Sequence, residues 1–163
     1  AFKAVGKPLR RKEDLRLLTG KGHFTDDFNL PGQVWAAMVR SPHPHARING
    51  IDKTAALAMP GVLAVYTGAD CIADGLKPIP HSPVPSTKYD VKLTGRGGTP
   101  VFIGVHDVLP PDKARHVGEA VAMVVAETRA QAYAAAEAVE VDYEPLSSVA
   151  DSREALSPDA PKL

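Results

Sequence analysis

The chain has 163 residues, of which 44% are apolar, and its 19 Lys/Arg balance 19 Asp/Glu, so the formal net charge is zero. That length and apolar fraction suit one domain with a real core and exclude a disordered chain. Neutrality excludes a nucleic-acid binder driven by counterion release, and the lack of an 18-residue apolar run excludes a membrane-spanning helix. Cys71 is the single cysteine, so no internal disulfide or cysteine-rich metal site can form, which fits a reducing, cytoplasmic setting. Charge is uneven along the chain: residues 1–30 hold seven Lys/Arg against four Asp/Glu, and residues 117–163 hold three against nine. Such asymmetry either steers docking onto a partner or marks two differently solvated surfaces.

Residues 1–32 read as an extended arm. The arm begins at Ala1 without an apolar signal core, contains one helical turn around Glu13–Leu18 closed by Gly20, and ends in the turn-rich TDDFNLPG. Residues 33–150 read as the folded body. Gln33–Ser41 is a strand with apolar residues on both faces: Val34, Ala36 and Met38 on one, Trp35, Ala37 and Val39 on the other. That pattern predicts burial on both sides. PHPH forces an extended turn, since proline disfavours helix in the residue before it. ARINGID is a second strand, and Asp52 is placed to cap a short helix, KTAALAM, ended by Pro60-Gly61. VLAVYTG is a third strand and GADCIADG a short helix or turn.

Gly75 to about Lys113 is proline- and glycine-rich and reads as a long irregular excursion with one short strand at PVFIGV. EAVAMVVAE is a buried strand. Thr128 and Gln131 form a capping box for a helix from Arg129 to about Ala138, whose apolar face is assigned to Ala130, Tyr133, Ala134 and Ala138. VEVDYE alternates, Val139 and Val141 one way and Glu140 and Asp142 the other, and Pro145 ends it. Residues 151–163 read as a linker. About five strands and three or four short helices make an α+β domain.

Candidate chemistry is sparse. His43 and His45 lie two apart and in an extended chain point the same way, which suits a metal if His23, Asp26, Asp27 or His81 supplies a third ligand; the same Pro-His-Pro-His also builds a stiff turn. TGKG and TGRGG lack the strand-to-helix context of a phosphate loop. Cys71 has no basic neighbour to lower its pKa, and Ser41, Ser82 and Ser86 lack a nucleophile elbow. Asp26 and Asp27 are adjacent, so their side chains diverge rather than face one site. The residues therefore describe a soluble domain with no self-contained active site, an accessory or assembly module.

Four stretches in order carry a resemblance: VGKPLRRKEDLRLLTGKGHFTDDFNLPG, VWAAMVRSPHPHARINGID, PGVLAVYTGAD and HVGEAVAMVVAETRAQAYAAAEAVEVDYEPL. Together they resemble the N-terminal region of the molybdenum hydroxylase large subunit, the family of xanthine dehydrogenase, aldehyde oxidase and carbon monoxide dehydrogenase. R-S-P-H-x-H-A-R-I and V-G-E-x-V-A-x-V-V-A-E-T are its specific motifs. Family large subunits are several times longer than this chain.

The resemblance implies an α/β hammerhead domain preceded by an extended arm. It implies a parent enzyme in which molybdenum on a pyranopterin (molybdopterin-type) cofactor hydroxylates an aldehyde or an electron-poor C–H position with oxygen from water. Electrons then pass to [2Fe-2S] clusters and usually FAD on partner subunits or domains. The molybdenum pocket and its catalytic Glu belong to domains that follow the hammerhead, so no catalytic, cofactor-binding or metal-binding residue transfers to this chain. The implied partners are the molybdenum-binding domains of the same subunit, an iron–sulfur subunit and a flavin subunit. Arg10, Arg11 and Arg16 become candidates for that interface, and the Gly75–Lys113 segment is expected at a subunit boundary or along the substrate approach. The alternatives are a free-standing binding or assembly module that reuses the fold without molybdenum, and a small metal-dependent hydrolase built on His43 and His45.

Overall fold

A computed structural model describes residues 5–80, 87, 89 and 93–162. The chain divides into two compact units, Ala1–Gln33 and Val34–Leu163.

The first unit carries one short helix, α1 (Asp14–Leu18), and a single 3-10 turn at Thr25–Asp27. The Asp14 carboxylate accepts from the Arg11 amide at 3.1 Å and from its guanidinium at 2.9 Å, so Asp14 serves the start of the helix that it opens. Gly20, at φ 70, closes the helix, a backbone region that favours glycine.

The second unit contains two three-stranded antiparallel sheets. Sheet A has the order β1 (Trp35–Arg40), β5 (Ala120–Ala126), β3 (Val62–Thr67). Sheet B has the order β4 (Lys113–Ala114), β2 (Ala46–Asp52), β6 (Glu140–Pro145). Three further helices connect them: α2 (Thr54–Leu57), α3 (Gly68–Ala73) and α4 (Arg129–Glu137). This mixed arrangement has the expected α+β class.

One face of sheet A packs on α4 and α2. Val65 and Val124 meet Ala56, Ala135 and Val139, while Ala37 and Ala126 meet Ala132. A bulge lies between Val39 and Arg40, which pair with Ala122 and Ala120. Val121 is the extra residue; it turns out of the sheet A alternation and packs with Ile48 and Ala114 in a second core under sheet B.

Several expectations change. The helical face assigned to Ala130, Tyr133, Ala134 and Ala138 is not the buried one: Tyr133 is exposed, and Ala132 and Ala135 are buried. An alanine-rich helix has almost no apolar asymmetry to mark its inner face, and the short methyl groups at 132 and 135 let its axis approach the sheet. Thr128 accepts from the Gln131 amide at 3.3 Å, but the Gln131 side chain receives the Thr128 hydroxyl at 2.7 Å instead of completing a capping box. That side chain lies against Gly61, where any Cβ would collide with it. Asp52 accepts from the Thr54 amide at 2.8 Å, although the helix it serves is shorter than KTAALAM. No strand forms at PVFIGV, and the short β4 follows it instead. Strand β1 is covered on one side only: Ala37 is buried while Met38 is 42% exposed.

Helix α3 begins with a reciprocal capping box. The Thr67 amide and hydroxyl both donate to Asp70 at 2.8 Å, and the Asp70 amide donates back to the Thr67 hydroxyl at 3.4 Å. Lys53 donates to the same carboxylate at 2.7 Å and to the Val65 carbonyl at 3.2 Å. Lys53 first, then Thr67, holds the Asp70 carboxyl below its ordinary range against the opposing effect of burial. A depressed carboxyl contributes stability above its unfolded pKa and loses it as pH falls through the folded one. Asp70→Asn is therefore expected to destabilise the chain by about 1 kcal/mol at neutral pH, the worth of a cap plus a partly exposed pair. Urea midpoints of the two proteins should begin to converge only as pH falls below the ordinary aspartate value of about 3.9, since the folded carboxyl protonates lower still.

Candidate partner interface and sheet-face groove

Arg10, Arg11 and Arg16 are all exposed within the first unit. The structure does not make them equivalent. Arg11 is engaged by Asp14, whereas Arg16 extends from α1. A pair between groups as exposed as Arg11 contributes little stability, so its guanidinium is available to an acidic partner at small cost.

The two motif histidines separate. His43 sets its ring edge-on to Tyr143, 5.1 Å between centroids. His45 is buried and its Nδ1 lies 2.7 Å from the Ser147 carbonyl. That places a proton on Nδ1, and Nε2 is buried with no hydrogen-bond partner among the described residues. Buried Ser41 accepts from the His43 amide and donates to its carbonyl, both at 3.1 Å, closing the turn. The prolines and histidines thus build a tight corner between β1 and β2. Among the proposed third ligands, His23 stacks near Phe28 and Asp27 accepts from the Phe24 amide at 2.8 Å; His81 lies outside the described residues, as do Ser82 and Ser86. Among the described residues, no group of three or more His, Cys, Asp and Glu is placed to hold a metal ion.

Neither glycine-rich loop is built for a phosphate. In TGKG the Thr19, Gly20 and Lys21 amides donate to Leu15, Leu17 and Arg16 carbonyls at the end of α1, and a helix C-terminus repels anions. In TGRGG the Gly95 and Gly98 amides donate to Thr99 and Gly95.

Two concavities flank sheet A. A polar cleft of about 400 Å³ includes Arg40, Arg115, His116 and Glu119. Its charges are largely satisfied internally. Arg40 donates to the Gly118 carbonyl at 2.7 Å, Arg115 to that of Lys113 at 2.9 Å, and Glu119 lies 3.6 Å from His116. The second is an apolar groove of about 310 Å³ on the side of sheet A away from α4, floored by Met38, Met123 and Tyr66 and walled by Cys71, Leu76 and Val108. Burial and the neighbouring Asp70 and Asp74 carboxylates push the Cys71 thiol up, so it is a poor nucleophile and a poor thiolate ligand. Sequence reasoning missed both features. The groove had one signal, the unbroken apolar run AVAMVVA of β5.

These donors do not fit a [2Fe-2S] cluster, which takes four thiolates, against one cysteine here. No helix of the described residues is long and apolar enough to cross a membrane.

The profile of the family described as "Aldehyde oxidase and xanthine dehydrogenase, a/b hammerhead domain" matches residues 19–147. The chain is 41% identical over 162 residues to the carbon monoxide dehydrogenase large chain of Afipia carboxidovorans, covering 99% of this chain and 18% of that one. It is 40% identical to the nicotine 6-hydroxylase large subunit of Paenarthrobacter nicotinovorans, covering 93% and 17%. Among solved structures, quinoline 2-oxidoreductase from Pseudomonas putida 86 superposes with a TM-score of 0.76 at 38% identity, covering 95% of this chain and 18% of that one. The Cu,Mo carbon monoxide dehydrogenase in its carbon monoxide reduced state gives 0.73 at 40%, covering 96% and 17%. The chain therefore spans less than a fifth of the length of these relatives. With the two sheets and this match over most of its length, the chain belongs to the aldehyde oxidase and xanthine dehydrogenase family and carries its α/β hammerhead domain.

Proposed function

We propose that this chain is the non-catalytic scaffold and assembly domain of a cytoplasmic molybdenum-dependent hydroxylase that oxidises an aldehyde or an N-heterocycle with oxygen from water. The observation that carries the reading is the family match over residues 19–147, together with a single cysteine, too few to hold an iron–sulfur cluster. Its buried groups are apolar or engaged with the backbone, as suits a body that holds loops and an arm in place. Molybdopterin is bound by other domains of the large subunit, and [2Fe-2S] and FAD by partner subunits or domains. Residues 1–32 act as the partner-contacting arm, residues 33–150 as the hammerhead body, and residues 151–163 as the link to the molybdenum-binding part. The Gly75–Lys113 segment lies at a subunit boundary or along the substrate approach.

Metal analysis and a visible spectrum test the division of labour. The chain alone should carry no stoichiometric molybdenum and no flavin or iron–sulfur absorption, while the complex purified through it should carry all three. Stoichiometric molybdenum in the isolated chain defeats the scaffold reading. Arg10, Arg11 and Arg16 supply the assembly test. Reversing the charge at Arg10 and Arg11 together should lower the yield of co-purified iron–sulfur subunit by about tenfold, the worth of two rim charges that steer association. Unchanged recovery defeats the interface assignment and leaves the domain assignment intact.

A further inference from the structure

We propose that the face of sheet A carrying Met38, Met123 and Tyr66 is the surface onto which the remaining polypeptide of the same large subunit docks. This rests on the reading that the chain is one domain of such a subunit, and it names the surface that joins them.

Met38 pairs with Met123 and Met123 with Tyr66, so the three side chains form one row across β1, β5 and β3. Helices α4 and α2 cover the opposite face of the same sheet. Met38 remains 42% exposed and Tyr66 40%, with Leu76 and Val108 exposed beside them. Asp74 is the one charged residue lining the groove.

An antiparallel sheet that faces water on one side alternates apolar and polar residues. Strand β5 does not: AVAMVVA has no polar residue at any position. Its outward Met123 and Val125 flank a core position, the fully buried Val124. This is the composition of a strand covered on both sides, with one cover contributed from elsewhere. Two thioethers suit such a contact, because methionine fills an irregular partner surface without strain.

The occupant follows from chain length. The two curated relatives compared above are more than five times longer than this chain, which covers 18% or less of each. Polypeptide in the same subunit meets this face at high effective concentration, so a modest apolar groove suffices to hold it. A separate subunit or a second copy would need a larger specific surface.

Cys71 in the groove wall reports occupancy. Its alkylation by iodoacetamide is followed by peptide mass spectrometry in the 163-residue chain, the intact large subunit and the holoenzyme. Labelling is expected to slow about tenfold or more from the chain to the intact subunit, as for a thiol moved from partial exposure to burial. Adding the partner subunits should slow it no further. In the intact subunit, Met38→Glu should restore labelling; that variant also supplies the open reference if the short chain does not fold alone.

Equal labelling in chain and intact subunit overturns the proposal. So does protection that appears only on adding partner subunits, or protection of the short chain that grows with its concentration, which marks a second copy. An active molybdenum holoenzyme with freely labelled Cys71 overturns the docking alone and leaves the proposed function standing. A cellular polypeptide of only 163 residues overturns both.

Discussion

Gly68→Val is expected to destabilise the chain by about 3 kcal/mol or more, with Gly68→Ala costing roughly 2 kcal/mol. Gly68 opens α3 and is buried. A Cβ placed on it would stand 2.7 Å from the Pro110 carbonyl carbon and oxygen and 2.7 Å from the Pro111 Cα. Those are backbone atoms of a two-proline segment, which cannot give way as the end of a flexible side chain does. Replacing glycine in a helix ordinarily gains up to about 1 kcal/mol, so the steric cost must exceed that gain for the variant to be destabilised. It should exceed it here, because the clash propagates. Pro111 adjoins Asp112, whose carbonyl accepts the Ile48 amide at 2.8 Å next to the β2–β4 pairing. Denaturant midpoints measure the effect, and Ala69→Ser on the exposed side of the same turn serves as control. A midpoint for Gly68→Ala equal to wild type contradicts the packing described.

The second large effect lies on α4. Ala135→Leu should cost about 2 to 3 kcal/mol, whereas Ala134→Leu should change stability by less than about 0.5 kcal/mol. Ala135 is fully buried between Val65, Val124 and Val139. An added isopropyl group there must push the helix off the sheet or take an unfavourable rotamer. Ala134 faces solvent, where leucine loses little as a helix former. The pair of variants distinguishes two assignments of one helix. If Ala134→Leu were the costly one, the face read from the sequence through Tyr133 would be the inner face after all.

That helix shows where sequence patterns lose their information. Its position was legible, since Thr128 stops the preceding strand and caps the turn. Its orientation was not, because alanine at 130, 132, 134, 135, 136 and 138 presents nearly the same methyl in most directions. The most conspicuous apolar side chain, Tyr133, drew the assignment outward; in the structure it stays exposed with the Arg129 guanidinium 5.7 Å from its ring centroid. Strand β6 is the opposite case. Valine and acid alternate at its start, so one reading of its faces was possible, and the structure keeps it.

The candidate site divides the same way. The single cysteine and the basic composition of residues 1–30 were legible in the sequence. The divergence of His43 and His45 was not, because it depends on Tyr143 and Ser147, about a hundred residues away. The capping of α3 by Thr67 and Asp70, with Lys53 drawn onto the same carboxylate, went unread because a four-residue box is visible only once the helix start is known.

The sequence by itself determined most of the segments that become strands and helices, and the family that their order resembles, because backbone preference and side-chain period are local properties; the strand expected at PVFIGV and the short β4 are the exceptions. Only the tertiary structure decided which face of α4 turns inward, that Val121 leaves one core for another, and that a row of methionine and tyrosine is left open on sheet A. The physical reason is that burial is shared between elements distant along the chain: a face becomes interior when another element arrives to cover it, and no local pattern records which one will.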